Sequence, residues 1–287
     1  MRARASVVGH VEWAQFAVVD RLPGEGEIVQ ASESFETAAG GGGVAAVQIA
    51  NLTGSCLLIT ALGDDATGHA AKAALEALGV EVAAVFRERP QRRAFVHLDG
   101  AGERTITVTG ERLAPRRDDR LPWSRLGELD GVYLTAGDPD AIRAARASRV
   151  LVASVRAAAD LRAAAVELDL LLASDEDPGE TYSPGDLIPE PLAVARTEGA
   201  AGGSASEGGA VFGWTGADPP GPVVDSYGAG DCFAGGVTVG LAGGRRLGEA
   251  LELGARCGAA CVTGRGPYEA QLRLGPQAGA EEARTGR

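Results

Sequence analysis

Asp225-Ser226-Tyr227-Gly228-Ala229-Gly230-Asp231-Cys232-Phe233 reads as a turn running directly into a helix. Gly228, Ala229 and Gly230 are small enough for their backbone N–H groups to converge on one oxyanion. A helix beginning near Asp231 adds the positive end of its dipole at the same point. An anion belongs there. A carboxylate at Asp231 is unfavourable beside an anion unless it takes a proton from the nucleophile that attacks it. Cradle and base together point to phosphoryl transfer. Behind the loop Phe233, Val237 and Leu241 recur at helical spacing, and a second helix from about Leu247 carries Leu251 and Ala255 in register, with Gly254 and Gly258 allowing close approach of a neighbouring helix.

Upstream, short apolar runs at 5–8, 56–60, 132–135, 150–153, 170–173 and 192–195 alternate with helical patterns, and a late strand is expected at 209–213. Parallel strands need crossovers, so this alternation predicts an α/β fold: a doubly wound, mostly parallel sheet with helices on both faces. Gly40 to Gly43 open a helical segment through Asn51; the glycines serve either close approach to a ligand or a plain flexible turn. Two excursions lack helices. Residues 12–36 hold Phe16-Ala17-Val18-Val19-Asp20 and Ile28-Val29-Gln30 as short strands, and 92–110 reads as a hairpin turning at 99–103. Together they form a small β-sheet lid. Residues 1–274 are read as one domain, and 275–287, almost without large apolar residues, as a disordered tail.

The chain has 287 residues, 45% of them hydrophobic, which suffices for one large core. A formal net charge of -12 argues against nucleic acid or an anionic membrane as partner, since both attract basic surfaces. A small molecule fits better. The longest apolar runs, such as 168–173, fall far short of the ~20 residues of a spanning helix, so a cytoplasmic protein is expected. Cys56, Cys232, Cys257 and Cys261 lie among apolar or small residues without CxxC spacing and are read as free core thiols.

Taken together, these residues resemble the ribokinase-like carbohydrate kinases, the PfkB family. Asp225-Ser226-Tyr227-Gly228-Ala229-Gly230-Asp231 is similar to the family's D-T-x-G-A-G-D signature, with Ser for Thr. Gly40 and Gly41 stand at its N-terminal G-G motif. Leu62-Gly63-Asp64-Asp65-Ala66-Thr67-Gly68 is similar to its G-x-D-x-x-G segment, and Thr197-Glu198-Gly199 to its T-x-G turn. The resemblance implies transfer of the γ-phosphoryl group of ATP to a hydroxyl of a sugar-like substrate. It makes Asp231 the base, places the amides of Gly228, Ala229 and Gly230 on the transferring group, and sets Thr197, Gly199, Asp225 and Ser226 near the nucleotide. It also implies Mg²⁺, a monovalent cation such as K⁺ near Asp225, and a homodimer through the exposed lid edge.

Departures from the family pattern fall on the acceptor side. Ala14 stands where sugar-binding members carry Asp, Glu12 where they often have Asn, and Gly42 and Ala45 where they tend to have Lys and Asn. The N-x-x-E magnesium motif reads Ser174 to Asp177, leaving Asp177 as a ligand acting through water. Glu12, Gly41, Gly42 and Asp231 are the candidate acceptor-binding residues, with His10 and Gln48 behind them; Arg93 and Arg104 on the hairpin are placed to meet an acidic group. A nucleotide- or sugar-binding sensor of the same fold is the alternative function. A dinucleotide oxidoreductase is disfavoured, because no G-x-G-x-x-G follows the first strand.

Overall fold

A computed structural model of the chain describes residues 3–100 and 103–273; the tail expected at 275–287 lies outside them. In chain order the strands and helices are β1 (Ala5–Val8), β2 (Glu12–Val18), β3 (Glu33–Ala39), α1 (Gly41–Thr53), β4 (Cys56–Gly63), α2 (Ala66–Ala77), β5 (Val80–Arg87), β6 (Arg93–Leu98) and β7 (Arg104–Thr109). There follow β8 (Gly131–Leu134), α3 (Pro139–Ala145), β9 (Val150–Ser154), α4 (Ala158–Ala164), β10 (Leu170–Ser174), β11 (Ala193–Thr197), β12 (Gly202–Glu207), β13 (Ala210–Thr215), α5 (Ala229–Ala242) and α6 (Leu247–Cys261).

Nine strands form one sheet in the order β13-β12-β11-β10-β9-β8-β1-β4-β5, parallel from β5 through β11 and finished by the antiparallel β12 and β13. Successive side chains of a strand point to opposite faces, and both faces of this sheet are buried. Val7 and Leu58 join the core under α1, α2, α5 and α6, while Val8, Leu57 and Ile59 join the core under α3 and α4. This is the doubly wound architecture expected from the alternation. From β1 the chain continues to β4 on one side and later returns to β8 on the other, so the order reverses between β1 and β8. A ligand cleft opens at such a switch point, beyond the carboxyl ends of the strands.

The second sheet, β3-β2-β6-β7, is the lid. The first lid arm runs on to Ala39. Ile28-Val29-Gln30 is not a strand: Ile28 is 99% exposed in a loop closed by the Arg21–Glu27 ion pair. The strand this segment follows, β2, pairs with β3 and β6 on its two edges, and 28–30 lie in the exposed connection between β2 and β3. β5 and β12 are strands beyond those expected. Gln91 ties the base of the lid to the main sheet, donating to the Val11 carbonyl at 2.7 Å and accepting from the Gly63 amide at 2.9 Å. In the same turn Asp65 caps α2 through the Gly68 amide and accepts from the Gln91 amide, so the G-x-D-x-x-G segment serves the junction between lid and sheet.

Candidate active site

α5 begins at Ala229, two residues before the expected start, with Gly228 as its N-cap at φ 85°. Gly is required at that position for two reasons. A left-handed φ is costly for any residue with a Cβ, and a Cβ there would lie 2.8 Å from Pro267 and 3.2 Å from Val44. Asp231 is therefore not the cap; it falls in the first helical turn. The Ala229 amide bonds the Ser226 carbonyl at 3.5 Å, while those of Gly230 and Asp231 have no preceding carbonyl within the helix and, among the described residues, are left as donors. Asp225 braces the loop from behind: one carboxylate oxygen accepts from the Tyr227 amide at 2.8 Å and the other from the Gly266 amide at 2.9 Å. Fully buried, Asp225 has its carboxyl pushed above the usual range by desolvation, against the pull of these amides.

The helix start opens onto a cavity of about 430 Å³ at the switch point. Asp231, Gly228, Gly230, Gly41, Glu12 and Thr197 all line it. Among the described residues no amide or side chain hydrogen-bonds to the Asp231 carboxylate. Burial, then the negative charge of Glu180, push its pKa from 3.8 up to about 7 against the attraction of Arg104 and Arg156. Gly41 opens α1 directly opposite: a Cβ on it would stand 3.0 Å from Asp231 Oδ1. A side chain there would fill the space beside the carboxylate.

Several expected site residues lie off the cavity wall. Gly42 packs against the end of β1, where a Cβ would meet the His10 carbonyl at 2.6 Å. Gly199 has φ 53° and accommodates the Glu176 carboxylate, which a Cβ would strike at 2.4 Å. Asp225 is the brace just described. Ser226 holds the lid, accepting from Arg104 at its carbonyl (2.9 Å) and hydroxyl (3.0 Å). Ala229 is not in the wall either. Gln48 is fully buried and donates to the Leu272 carbonyl at 2.8 Å, so it anchors the C-terminal segment away from the cavity.

On the acceptor side, Glu12 is buried and accepts from Arg92 Nε at 2.6 Å. His10 bonds Thr135 Oγ1 at 3.2 Å through both its amide and Nδ1. Burial, followed by the fields of Arg112, Arg92 and Arg156, lowers His10 to about 3 and keeps it neutral. Ala14 is buried on the same lid face as Glu12 and presents no polar group. Register explains why Arg104 reaches the cavity and Arg93 does not. Arg104 pairs with Leu98 and Val108 with Ala94, which sets Arg104, Ile106 and Val108 on the inner face. Arg93 points the other way and bonds Thr67.

Asp177 also lines the cavity. Its Oδ1 accepts from the Gly179 amide at 2.8 Å, and Oδ2 pairs with Arg156, which pairs in turn with Glu180. These are hard oxygen donors beside the cavity, a set that suits Mg²⁺ carried mainly by phosphates and water; among the described residues no cluster of three or more potential ligands occurs. Sequence reading does not single out Thr135, Arg92, Arg112, Arg156 or Glu180. For Thr135 and Arg156 a signal exists: Thr135 directly follows the carboxyl end of β8, and Arg156 lies two residues past that of β9.

The profile of the pfkB family carbohydrate kinases matches residues 2–181 and 189–273. The chain belongs to that family. An ATP-dependent ribose-1-phosphate kinase of Halopiger xanaduensis is 34% identical over 147 residues, covering 48% of this chain and 47% of that protein. The match thus spans about half of that relative. Among solved structures, the ribokinase of Arabidopsis thaliana complexed with ribose and ATP gives a TM-score of 0.73 at 22% identity, covering 95% of this chain and 96% of that one. Phosphofructokinase-2 of Escherichia coli, in complex with potassium, gives 0.71 at 20% identity, covering 95% and 96%. At these identities the likeness is one of fold. It extends to the lid sheet as well as the nine-stranded sheet.

Proposed function

We propose that this chain is an ATP-dependent kinase that transfers the γ-phosphoryl group to a hydroxyl of a sugar or sugar-like acceptor. The observation that carries this reading is the Asp231 carboxylate, without a hydrogen-bond partner among the described residues and set in the first turn of α5 on the cavity wall. The acceptor hydroxyl gives its proton to Asp231 as its oxygen bonds to the γ-phosphorus and the bond to the β-phosphate oxygen breaks. The amides of Gly228, Ala229 and Gly230 hold the charge spread over the transferring oxygens. Burial supports the base role, since a carboxylate titrating near 7 has more proton affinity than an exposed one and is still ionised in good part at neutral pH.

Thr197 marks the nucleotide end of the cavity in this reading, with the Gly199 turn behind it. Ser226 acts through Arg104, and Asp225 by holding the loop. Asp177, with Glu180 beside it, would hold Mg²⁺ through water, and the ion would supply charge neutralisation at the phosphates. For a monovalent cation, Asp225 offers a buried carboxylate behind the loop. The outer strands β3 and β7 leave lid edges for a second copy to pair with, which is our reading of a homodimer.

The test is ADP formation from ATP and Mg²⁺ with a panel of sugars, sugar acids, sugar phosphates and nucleosides, with and without K⁺. In Asp231→Asn, turnover should fall by roughly 10²–10⁴-fold while ATP binding persists. Unchanged turnover in that variant would remove the proposed base. Ligand binding without turnover across the whole panel would favour a sensor.

A further inference from the structure

We propose that the acceptor carries an anionic group, a phosphate or a carboxylate, and that Arg112, flanked by Arg92, receives it. This rests on the kinase reading above and specifies its substrate. The cavity of a chain with net charge -12 is lined by four arginines, Arg92, Arg104, Arg112 and Arg156. Their partners differ. Arg156 is paired by Asp177 and Glu180, and Arg92 by Glu12. Arg104 has no carboxylate, but the Ser226 carbonyl and hydroxyl occupy it at the signature loop. Among the described residues Arg112 makes no ion pair: its one hydrogen bond there is to the Arg156 carbonyl at 3.4 Å, and Glu12 and Asp160 attract it without bonding to it.

Arg112 is half-buried and stands where guanidinium charges crowd. Desolvation, then the repulsion of Arg92, lower its pKa from the ordinary arginine value. A cation partly held out of water, without a bonded carboxylate and beside a second cation, is stabilised by a ligand that brings negative charge into contact with it. Its place is the acceptor end. Burial apart, Arg112 is the largest influence lowering His10, followed by Arg92, and of the two carboxylates that attract Arg112 the stronger influence is Glu12 and the weaker Asp160.

Arg92 is also held beside the turn that leads to Arg112. Arg92 bonds both Glu12 and the Gly110 carbonyl (3.3 Å), two residues before Arg112, and the left-handed Gly110 at φ 86° turns the chain there. Both guanidiniums line the cavity, and planar forks suit the oxygens of a phosphate or carboxylate. The same end lacks a neutral-sugar grip, because Ala14, Gly42 and Ala45 offer no polar side chain. Neutral His10 and Glu12 remain to meet hydroxyls.

The experiment compares kcat/KM for ribose, ribonate, ribose 1-phosphate and ribose 5-phosphate at saturating ATP in the wild type, Arg112→Gln and Arg112→Lys. Calorimetric titration of the same four compounds without nucleotide accompanies it. The wild type should prefer an anionic acceptor, with the phosphate and carboxylate arms showing which anion. Arg112→Gln should lower the anionic-to-neutral ratio of kcat/KM by about 10- to 100-fold through KM, the range set by one charged hydrogen bond. Arg112→Lys should recover part of it. A wild type that prefers ribose, an unchanged ratio in Arg112→Gln, or a rise in the KM for ATP alone would overturn the proposal. The titration separates the two readings. Arg112-dependent binding of an anionic compound without turnover leaves this inference standing and removes the kinase reading; turnover of neutral sugars alone does the reverse.

Discussion

Asp231 combines two costs that an ordinary surface carboxylate avoids. It is held away from water, and among the described residues nothing hydrogen-bonds to it, so its charged form is disfavoured in the folded chain and its pKa rises from 3.8 to about 7. The catalytic consequence is a pH profile in which kcat climbs about tenfold per unit below 7 and levels off above it, because only the carboxylate accepts the proton. Asp231→Asn should lose that limb, which steady-state rates from pH 5 to 9 would show. The stability consequence has the opposite sign. Below pH 4 the group is protonated in both folded and unfolded chains and costs nothing. Between 4 and 7 the folded chain binds more protons than the unfolded one, so stability falls as pH rises, and the full penalty is present above 7. Asp231→Asn should therefore melt higher than the wild type at pH 8 and at nearly the same temperature at pH 4. Equal melting shifts at both pH values would mean that the charge is not the cause. With the proposed role as base, a cost in stability at this residue is the usual trade at an active site.

Among the helices, α5 is placed by what it lacks. Gly236 of α5 and Gly254 of α6 bring the two helices close: a Cβ on Gly236 would lie 3.0 Å from Gly254 Cα, and one on Gly254 would lie 2.5 Å from Val237 Cγ2 and 2.9 Å from the Phe233 carbonyl. Helix propensity alone predicts that Gly254→Ala gains about 1 kcal/mol. The overpacking term, typically about 1–3 kcal/mol, has the other sign and is the larger here because a backbone carbonyl cannot yield as a side chain does. Urea unfolding should therefore show a net loss for Gly254→Ala. In the same helix nothing lies within 4 Å of a Cβ on Gly248, and Gly248→Ala should gain up to about 1 kcal/mol. A gain in both variants would show that the helix contact is looser than described. The Gly254 and Gly258 spacing was legible as permission for close approach. The partner was not, because a small-residue pattern does not say which helix comes near.

At the scale of the molecule, the site exists because the lid returns onto the carboxyl ends of the main sheet. Phe16 of the lid meets Tyr227 of the signature loop edge to face at 5.0 Å, Tyr268 donates to the Ala38 carbonyl at 2.7 Å, and Arg104 spans from β7 to Ser226. Arg104 is exposed, so Arg104→Ala should change unfolding free energy by no more than about 0.5 kcal/mol. It does remove the bond between β7 and the anion loop. The KM for acceptor should rise about tenfold, as one charged hydrogen bond is lost on lid closure. A large loss of stability with unaltered kinetics would make Arg104 a structural strut. No helix among the described residues is long and apolar enough to cross a membrane.

The sequence by itself determined the doubly wound sheet, because β1, β4, β8, β9 and β10 are short apolar runs separated by helical patterns and parallel strands allow few other arrangements. It also singled out the stretch Gly228 to Asp231, which the structure places at the start of α5 with Gly228, Gly230 and Asp231 on the cavity wall. Only the tertiary structure decided the rest. Ile28-Val29-Gln30 has the composition of a strand, yet it lies in the exposed β2–β3 connection, with Ile28 in solvent beside the Arg21–Glu27 pair. Gly202–Glu207 has almost no apolar signal, yet pairing with β11 and β13 makes it β12. The acceptor end is the clearest case. Glu12, Arg92, Arg112 and Arg156 lie far apart in the chain and meet through strand register and crossover connections, and a shift of one residue turns a strand's side chain to the opposite face. Arg93 and Arg104 looked equivalent in the sequence, and register alone separates them.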